Sequence, residues 1–375
     1  MKTYIKTLFI ILSLIASSCK FGGDVCLIPM EIVMVSGGDT HSLILGRDGT
    51  VWATGYNGSG RLGTGDNINK NVFTKVASNV KMIAAGADHS LILKEDGTVW
   101  GTGYNINGQL GTGDYNNKNV FTKVASNVKM IAGGGFHSLI LKEDGTLWVT
   151  GKNEDGQLGT GDNTNRNVFT KVASGVKMIA AGANHSFILK EDDTIWATGY
   201  NGSGRLGTGD NNDRNVFTKV GTNVKMIAAG TAHSLILKED GKVLAAGLNY
   251  NGPLGTGDNN ERYVFTQVET NVKMIAAGNE HSLILKEDGT VLVTGYNFYG
   301  QLGTGDNTNR NLFTKVASGV KMIVGGGAHS LILKKDGTVW LTGSNSYGQL
   351  GNGESGAGTD RNVFTKIDNK TFSCE

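Results

Sequence analysis

Proline is almost missing from this chain, with two residues in 375, and cysteine is scarce, with three. Charged residues make up 18%, below the roughly 25% of an average domain. Each shortage excludes something. Cys26 and Cys374 lie near opposite ends, so they cannot supply the closely spaced ligand pairs of a zinc site. No stretch keeps helical spacing over ten residues, which removes helical architectures. Neither charge is in surplus: taking away residues 1–18 removes two lysines and no acids, leaving 33 basic and 33 acidic residues. A duplex-binding protein needs a basic excess, so nucleic acid is not an expected partner. What is abundant is glycine, 57 residues without a G-X-Y period, beside 39% hydrophobic residues. That combination describes a packed core threaded by many tight turns.

The first eighteen residues differ from the rest. "MKTYIK" supplies Lys2 and Lys6, "LFIILSLIA" is apolar, and "SSC" brings in Cys19. This order reads as a secretory signal over 1–18, too short to span a bilayer comfortably. Ala16 to Cys19 resembles a relaxed bacterial lipobox, although Ala16 stands where leucine is usual. The resemblance implies that Cys19 is lipidated and that the protein is a bacterial extracytoplasmic, membrane-anchored lipoprotein, periplasmic or at the cell surface. Ordinary cleavage, or an uncleaved anchor, is the alternative. In an oxidising compartment Cys26 and Cys374 are free to pair.

A repeat dominates the remainder. The seven histidines, His41, His89, His137, His185, His233, His281 and His329, stand 48 residues apart and are all the chain has. Within one unit, "VKMIAAG", "HSLIL", "TVWGTG" and "VFTKV" are short apolar runs separated by turn residues. Each has the length and composition of a strand, so a unit is four strands, A to D. Seven such units, without distinct capping repeats, predict an all-β, seven-bladed β-propeller of four-stranded blades over residues 32–367. Residues 19–31 are expected to hold the anchor linker and an extra N-terminal strand, and 368–375 a tail that closes the ring. By the 48-residue period, "VCLI" (25–28) aligns with a D strand, and "TFSC" (371–374) falls where another A strand would begin. Both ends should meet at one seam, where a Cys26–Cys374 disulfide would fasten them.

The wording "AAGxxHSLILKEDGTVWxTGYNxxGQLGTGD…VFTKV" resembles the repeat of the regulator of chromosome condensation family over nearly the whole chain after the signal. The resemblance implies a seven-bladed propeller, in agreement with the strand count. It also offers functions: exchange-factor activity toward a small GTPase, or binding of a protein by an exported propeller. The exchange factor of that family uses an inserted projection and a basic tail. Here the loops are uniform apart from three extra residues in "GNGESGAGTDRN", so the exported binders are the nearer analogy.

Several local patterns invite chemistry. Equivalent histidines on neighbouring blades should stand roughly 10 Å apart, too far to share one metal, so the His that begins each strand B is expected to hold a turn by hydrogen bonding, with no metal site. "GSGRLG" at 58–63 and 202–207 fits GxGxxG, but no helix follows, so its glycines belong to a turn. Trp52, Trp100, Trp148, Trp196 and Trp340 share one place on strand C, replaced by Leu244 and Leu292, which suits packing. Asp66, Asp114, Asp162, Asp210, Asp258, Asp306 and Glu354 open oxygen-rich loops that admit calcium in principle. They lack EF-hand spacing, and Lys70, Lys118, Arg166, Arg214, Arg262, Arg310 and Arg361 are placed to pair with them. His and Ser adjacent in a strand point to opposite faces, so no base serves its neighbour's hydroxyl. No catalytic constellation and no cofactor motif stand out. An enzyme with a site in the channel is the rival reading.

Strand residues barely change between units, whereas two turn positions do. One precedes each His and includes Phe136 and Glu280. The other follows an invariant Asn and includes Glu154, Asp155, Tyr250, Phe298, Tyr299 and Tyr347. In an up-and-down blade both lie at the same end. They predict a binding face, for a protein or glycan partner, on a monomeric scaffold.

Overall fold

The computed structural model describes residues 31–373. Residues 1–30, with Cys19, Cys26 and "VCLI", and residues 374–375, with Cys374, lie outside the described residues, and with them the expected signal, lipidation and disulfide. The described chain forms seven four-stranded antiparallel sheets, at 32–77, 80–125, 128–173, 176–221, 224–269, 272–317 and 320–366. In blade 1 strands A to D are Ile32–Gly37, His41–Gly46, Val51–Gly55 and Lys70–Ala77. Strand A lies nearest the axis and strand D at the rim. The predicted propeller is the observed one.

Burial follows the words of the repeat. Strand B is covered by sheets on both sides, so "HSLIL" is buried throughout. Strand D, at the rim, has no fully buried residue in blades 2 and 3, and exposes Val120 and Lys123 in the first and Val168 and Lys171 in the second. The core is divided among the interfaces. Between blades 1 and 2, for example, Leu43, Leu45, Val51, Ala53 and Leu62 pack on Val80, Ile83 and Ile92. Leu62 and its equivalents (Leu110, Leu158 and onward) come from the C–D loops, so each loop also plugs a core. Trp52 is buried. Trp100, Trp148, Trp196 and Trp340 are half-buried, each beneath a lysine such as Lys94, 4.3 Å from the Trp100 ring centre.

The histidines bind neighbouring blades to one another. His41 Nε2 donates to Ser90 Oγ at 2.9 Å, His89 to Ser138 at 2.8 Å, and so on around to His329 with Ser42 at 2.9 Å. Because His and Ser point to opposite faces of strand B, His41 reaches blade 2 while Ser42 reaches blade 7. Six of the serines donate a hydrogen bond in turn to a C–D loop carbonyl, as Ser90 does to Arg61 O at 2.7 Å. In those six pairs the imidazole is therefore the donor, protonated on Nε2. Hydrogen bonding was the expected role, but the bond crosses between blades and does not hold a turn. Gly38 explains the "G" of the motif: a β-carbon there would collide with the His41 ring and the Gly86 carbonyl. Backbone bonds close a second belt nearer the axis, including Ala87 N to Gly134 O (3.1 Å) and, across the seam, Gly327 N to Gly38 O (2.9 Å).

The tail behaves differently from the expectation that it starts an A strand. Phe372–Ser373 runs parallel to strand D of blade 1 at the rim, with Phe372 opposite Phe73. Seven A strands already encircle the axis, whereas the outer edge of blade 1 offers unpaired donors and acceptors. Phe372 meets Trp52 edge-on at 5.3 Å, stacks on Phe73 at 5.6 Å, and joins the core between blades 7 and 1.

Candidate functional site

The two variable turn positions do share one end of the propeller. Tyr56 N donates to Thr40 O (2.8 Å), tying the C–D loop to the A–B turn. At the other end Val80 N donates to Gly49 O (3.0 Å), joining the B–C turn to the D–A connection.

Each C–D loop is built around a buried asparagine. Asn57 Nδ2 donates to Thr64 Oγ1 (2.9 Å) and Asp66 O (3.0 Å), while its Oδ1 accepts from Leu62 N (3.0 Å). Asp66 in turn accepts from Ile68 N (3.0 Å) and Lys70 Nζ (2.8 Å). Burial opposes ionisation of Asp66, but Lys70, the Ile68 amide and Thr64 outweigh it and hold the carboxyl at about 2. All seven acids pair as the spacing predicts, among them Asp306 with Arg310 at 2.6 Å and Glu354 with Arg361. Their oxygens are thus committed to protein donors that a calcium ion would have to displace. The GxGxxG stretches are turns, with Gly60 and Gly63 at φ 80° and 76°. Replacing the asparagine under the aromatic loop, Asn297→Ala, should cost about 1–3 kcal/mol by orphaning buried groups. Native-state hydrogen exchange should show Leu302, whose amide Asn297 accepts at 2.9 Å, losing protection first.

These loops present the sequence-predicted residues as follows. Tyr250 is 76% exposed, Phe298 62% and Tyr347 41%. Phe298 and Tyr299 meet edge-on at 5.0 Å, and Tyr347 packs against Tyr56 at 4.9 Å across the seam. Tyr250 stands apart from them, beside Asn251, Asn309 and Arg310 at the boundary of blades 5 and 6. Phe136 is half-buried, tilted against Tyr104 at 5.9 Å. Glu154 is exposed and 3.2 Å from Lys152, and Asp155, half-buried, is 3.9 Å from the same lysine. Burial raises the Asp155 carboxyl against that lysine's pull. Glu280 accepts from Asn251 Nδ2 at 2.6 Å.

Three groups of residues on this face escape the two-position comparison. Tyr56, Tyr104, Tyr200 and Tyr296 belong to the repeated "GYN" and read as frame, yet Tyr296 stacks with Phe298 at 6.3 Å. The residue two before each His lines an axial cavity of about 410 Å³, where Asp39, Thr231 and Asn279 face Ala87, Gly135 and Ala183. Burial raises the Asp39 carboxyl despite a hydrogen bond from Asn279. Arg61 and Arg205 are buried in their loops and differ only by being Arg where other units have Gln or Pro. Among the described residues no group of three or more His, Cys, Asp or Glu side chains is placed to hold a metal ion.

The RCC1-like domain profile matches residues 24–222. The regulator of chromosome condensation (RCC1) repeat profile matches 224–252, 272–301 and 320–349, and a second profile of that repeat matches 240–285 and 288–333. The chain belongs to the RCC1 repeat family. A search of curated protein sequences returned no match. Among solved structures, this RCC1-repeat propeller is similar to human WBSCR16, with 23% identity and a TM-score of 0.76 over 85% of this chain and 93% of that one. It is similar also to yeast RCC1 (Prp20) solved bound to Kap60, with 22% identity and a TM-score of 0.71 over 79% and 78%. Prp20p from Saccharomyces cerevisiae, described together with its binding to Gsp1p and histones, gives 23% and 0.70 over 79% and 80%. At such identities the RCC1-repeat propeller shares a fold with them, and its loops carry their own chemistry.

Proposed function

We propose that this propeller is a non-enzymatic scaffold that binds a protein partner through the face made by its A–B turns and C–D loops. One observation carries the reading: the positions that vary between units, with the exposed Tyr250, Phe298 and Tyr347, open on that face. The opposite face repeats "KEDG" nearly unchanged. Large rings with polar edges are the usual anchors of protein interfaces. That RCC1 (Prp20) has been solved bound to Kap60 supports protein binding as a use of this architecture. The scaffold acts outside the cytoplasm, held to a membrane through a lipid on Cys19.

A pull-down with the mature protein tests the face. A variant carrying Ser at Tyr250, Phe298, Tyr299 and Tyr347 should keep its thermal midpoint and lose at least about thirtyfold in affinity for whatever the wild type captures. Equal recovery by both proteins rejects the patch. A glycan array run in parallel separates the other ligand class that stacks on such rings. For the anchor, Cys19→Ser should abolish lipid labelling and detergent partitioning. A wild-type protein without lipid removes that part of the proposal.

A further inference from the structure

Two C–D loops of this propeller are identical over twelve residues, "YNGSGRLGTGDN" at 56–67 and 200–211. Each buries one arginine, Arg61 at 4% and Arg205 at 6% exposure, beneath a tyrosine ring. The guanidinium lies 4.6 Å from Tyr56 in the first loop and 4.5 Å from Tyr200 in the second. Both touch the same backbone carbonyl of the next blade, Ala87 O at 3.3 Å and Thr231 O at 2.7 Å. Their surroundings then diverge. Arg61 is neutralised by Asp88 Oδ1 at 2.5 Å and also donates to Thr40 Oγ1 at 3.0 Å. Forty-eight times three residues on, Ala232 replaces Asp88 and Asn184 replaces Thr40.

Among the described residues no carboxylate forms an ion pair with Arg205, and its one hydrogen bond is to Thr231 O; its Nε, like that of Arg61, is buried without a partner. Asp155, Asp213 and Glu261 act on it only through space. All three are engaged elsewhere, since Asp155 lies by Lys152, Asp213 accepts from Asn201 N (2.7 Å), and Glu261 accepts from Tyr263 (2.9 Å). A buried guanidinium with most of its five donors unused is costly unless a carboxylate arrives to share them.

We infer that Arg205, flanked by Asn184 and roofed by Tyr200, is a receptor for a carboxylate of the binding partner, seated where Asp88 stands beside Arg61. The arrangement at Arg61 is the internal template: the same loop accepts a carboxylate on the same guanidinium, from an aspartate where the twin has only the methyl of Ala232. Asp155, Asp213 and Glu261 oppose any added anion, free or peptide-borne, so a lone small anion is held poorly and a carboxylate is retained when a polypeptide delivers it with further contacts on the same face. The inference rests on the proposed binding face and adds the chemistry of one contact within it.

The test is a titration of the mature protein with acetyl-Gly-Asp-Gly-amide and, separately, with sodium acetate, followed by the arginine Nε–H resonances in nitrogen-15 NMR. The Arg205 resonance should shift saturably with the peptide, acetate should bind about tenfold more weakly, and Arg61 should stay in place. Arg205→Gln introduces the residue found at positions 109, 157, 301 and 349, so it folds and lacks the resonance and the binding. Ala232→Asp should supply the missing partner from within: the thermal midpoint rises by about 2 °C, and peptide affinity falls at least about tenfold. No saturable shift, an unchanged affinity in Ala232→Asp, or acetate binding as tightly as the peptide overturns the assignment. Since these probes need no captured partner, their failure is separate from any failure of the aromatic face.

Discussion

Lowering the pH from 7.5 to 5.5 should destabilise this propeller by roughly 9 kcal/mol through its histidines alone. Each of the seven imidazoles is fully buried and bonds a serine through Nε2, as the donor in the six pairs whose serine donates onward, while Nδ1 has no partner. Burial is the main cause that holds His89, His137 and His281 at about 3 and His233 and His329 at about 4. Burial likewise pushes His41 and His185 well below the ordinary value, with Arg61 and Arg205 adding to it respectively. In the unfolded chain each titrates near 6.5, so between about 6.5 and 4 the unfolded state binds the extra protons. The contribution is therefore complete above 6.5 and is lost as the pH falls toward the folded values. Per histidine the change over this range is roughly 1.4 kcal/mol, and seven act together, against a total stability of about 5–15 kcal/mol for a typical domain. Urea unfolding at pH 7.5, 6.5 and 5.5 reads it directly, with the midpoint dropping steeply at each step. His185→Gln should reduce the proton uptake on unfolding by about one. A midpoint that stays level across this range contradicts the hydrogen-bonded belt.

Phe372→Ala should cost about 3 kcal/mol, at the low end for a buried phenylalanine because the tail is short and can undock locally. Phe372 covers two rings, Trp52 and Phe73, and among the described residues blade 1 is the one blade with a fifth strand. Phe73 is fully buried there, whereas its counterpart Phe121 in blade 2 is only half-buried. Deleting residues 368–375 should have at least the same effect, and the cleavage sites that appear under limited proteolysis should fall in blades 1 and 7. An unchanged thermal midpoint in the truncated chain would mean that the seam holds through the two belts and its remaining core.

Much of this fold was legible because the repeat carries its own ruler. The 48-residue spacing of His, the strand-length apolar runs and the turn glycines all agree, and each blade is continuous in sequence. The role of the histidines was only half legible. Strand alternation correctly separates His41 from Ser42, but their true partners, Ser90 and His329, belong to other units and become visible once blades are placed side by side. The end of the chain misled for a related reason. Counting in the 48-residue period puts Thr371 at an A strand, while packing places Phe372 at the rim, where an aromatic pocket and an open edge receive it.

On the variable face, exposure of Tyr250, Phe298 and Tyr347 followed from their place in turns. Their grouping did not, since Tyr347 meets Tyr56 only because the ring closes. Arg205 was hidden by similarity: its loop copies that of Arg61, and the difference lies in the next blade, at Ala232 and Asp88.

The central claim is that the repeated words build the ring and the changing ones contact a partner from one end. Hydrogen exchange of the mature protein, free and bound to its captured partner, tests it most directly. Protection on binding should concentrate in residues 134–137, 248–253, 278–281, 296–301 and 344–349, and spare the "KEDG" turns at 94–97, 142–145 and 286–289. Protection centred on those "KEDG" turns, with the aromatic loops exchanging as freely as before, would contradict the account.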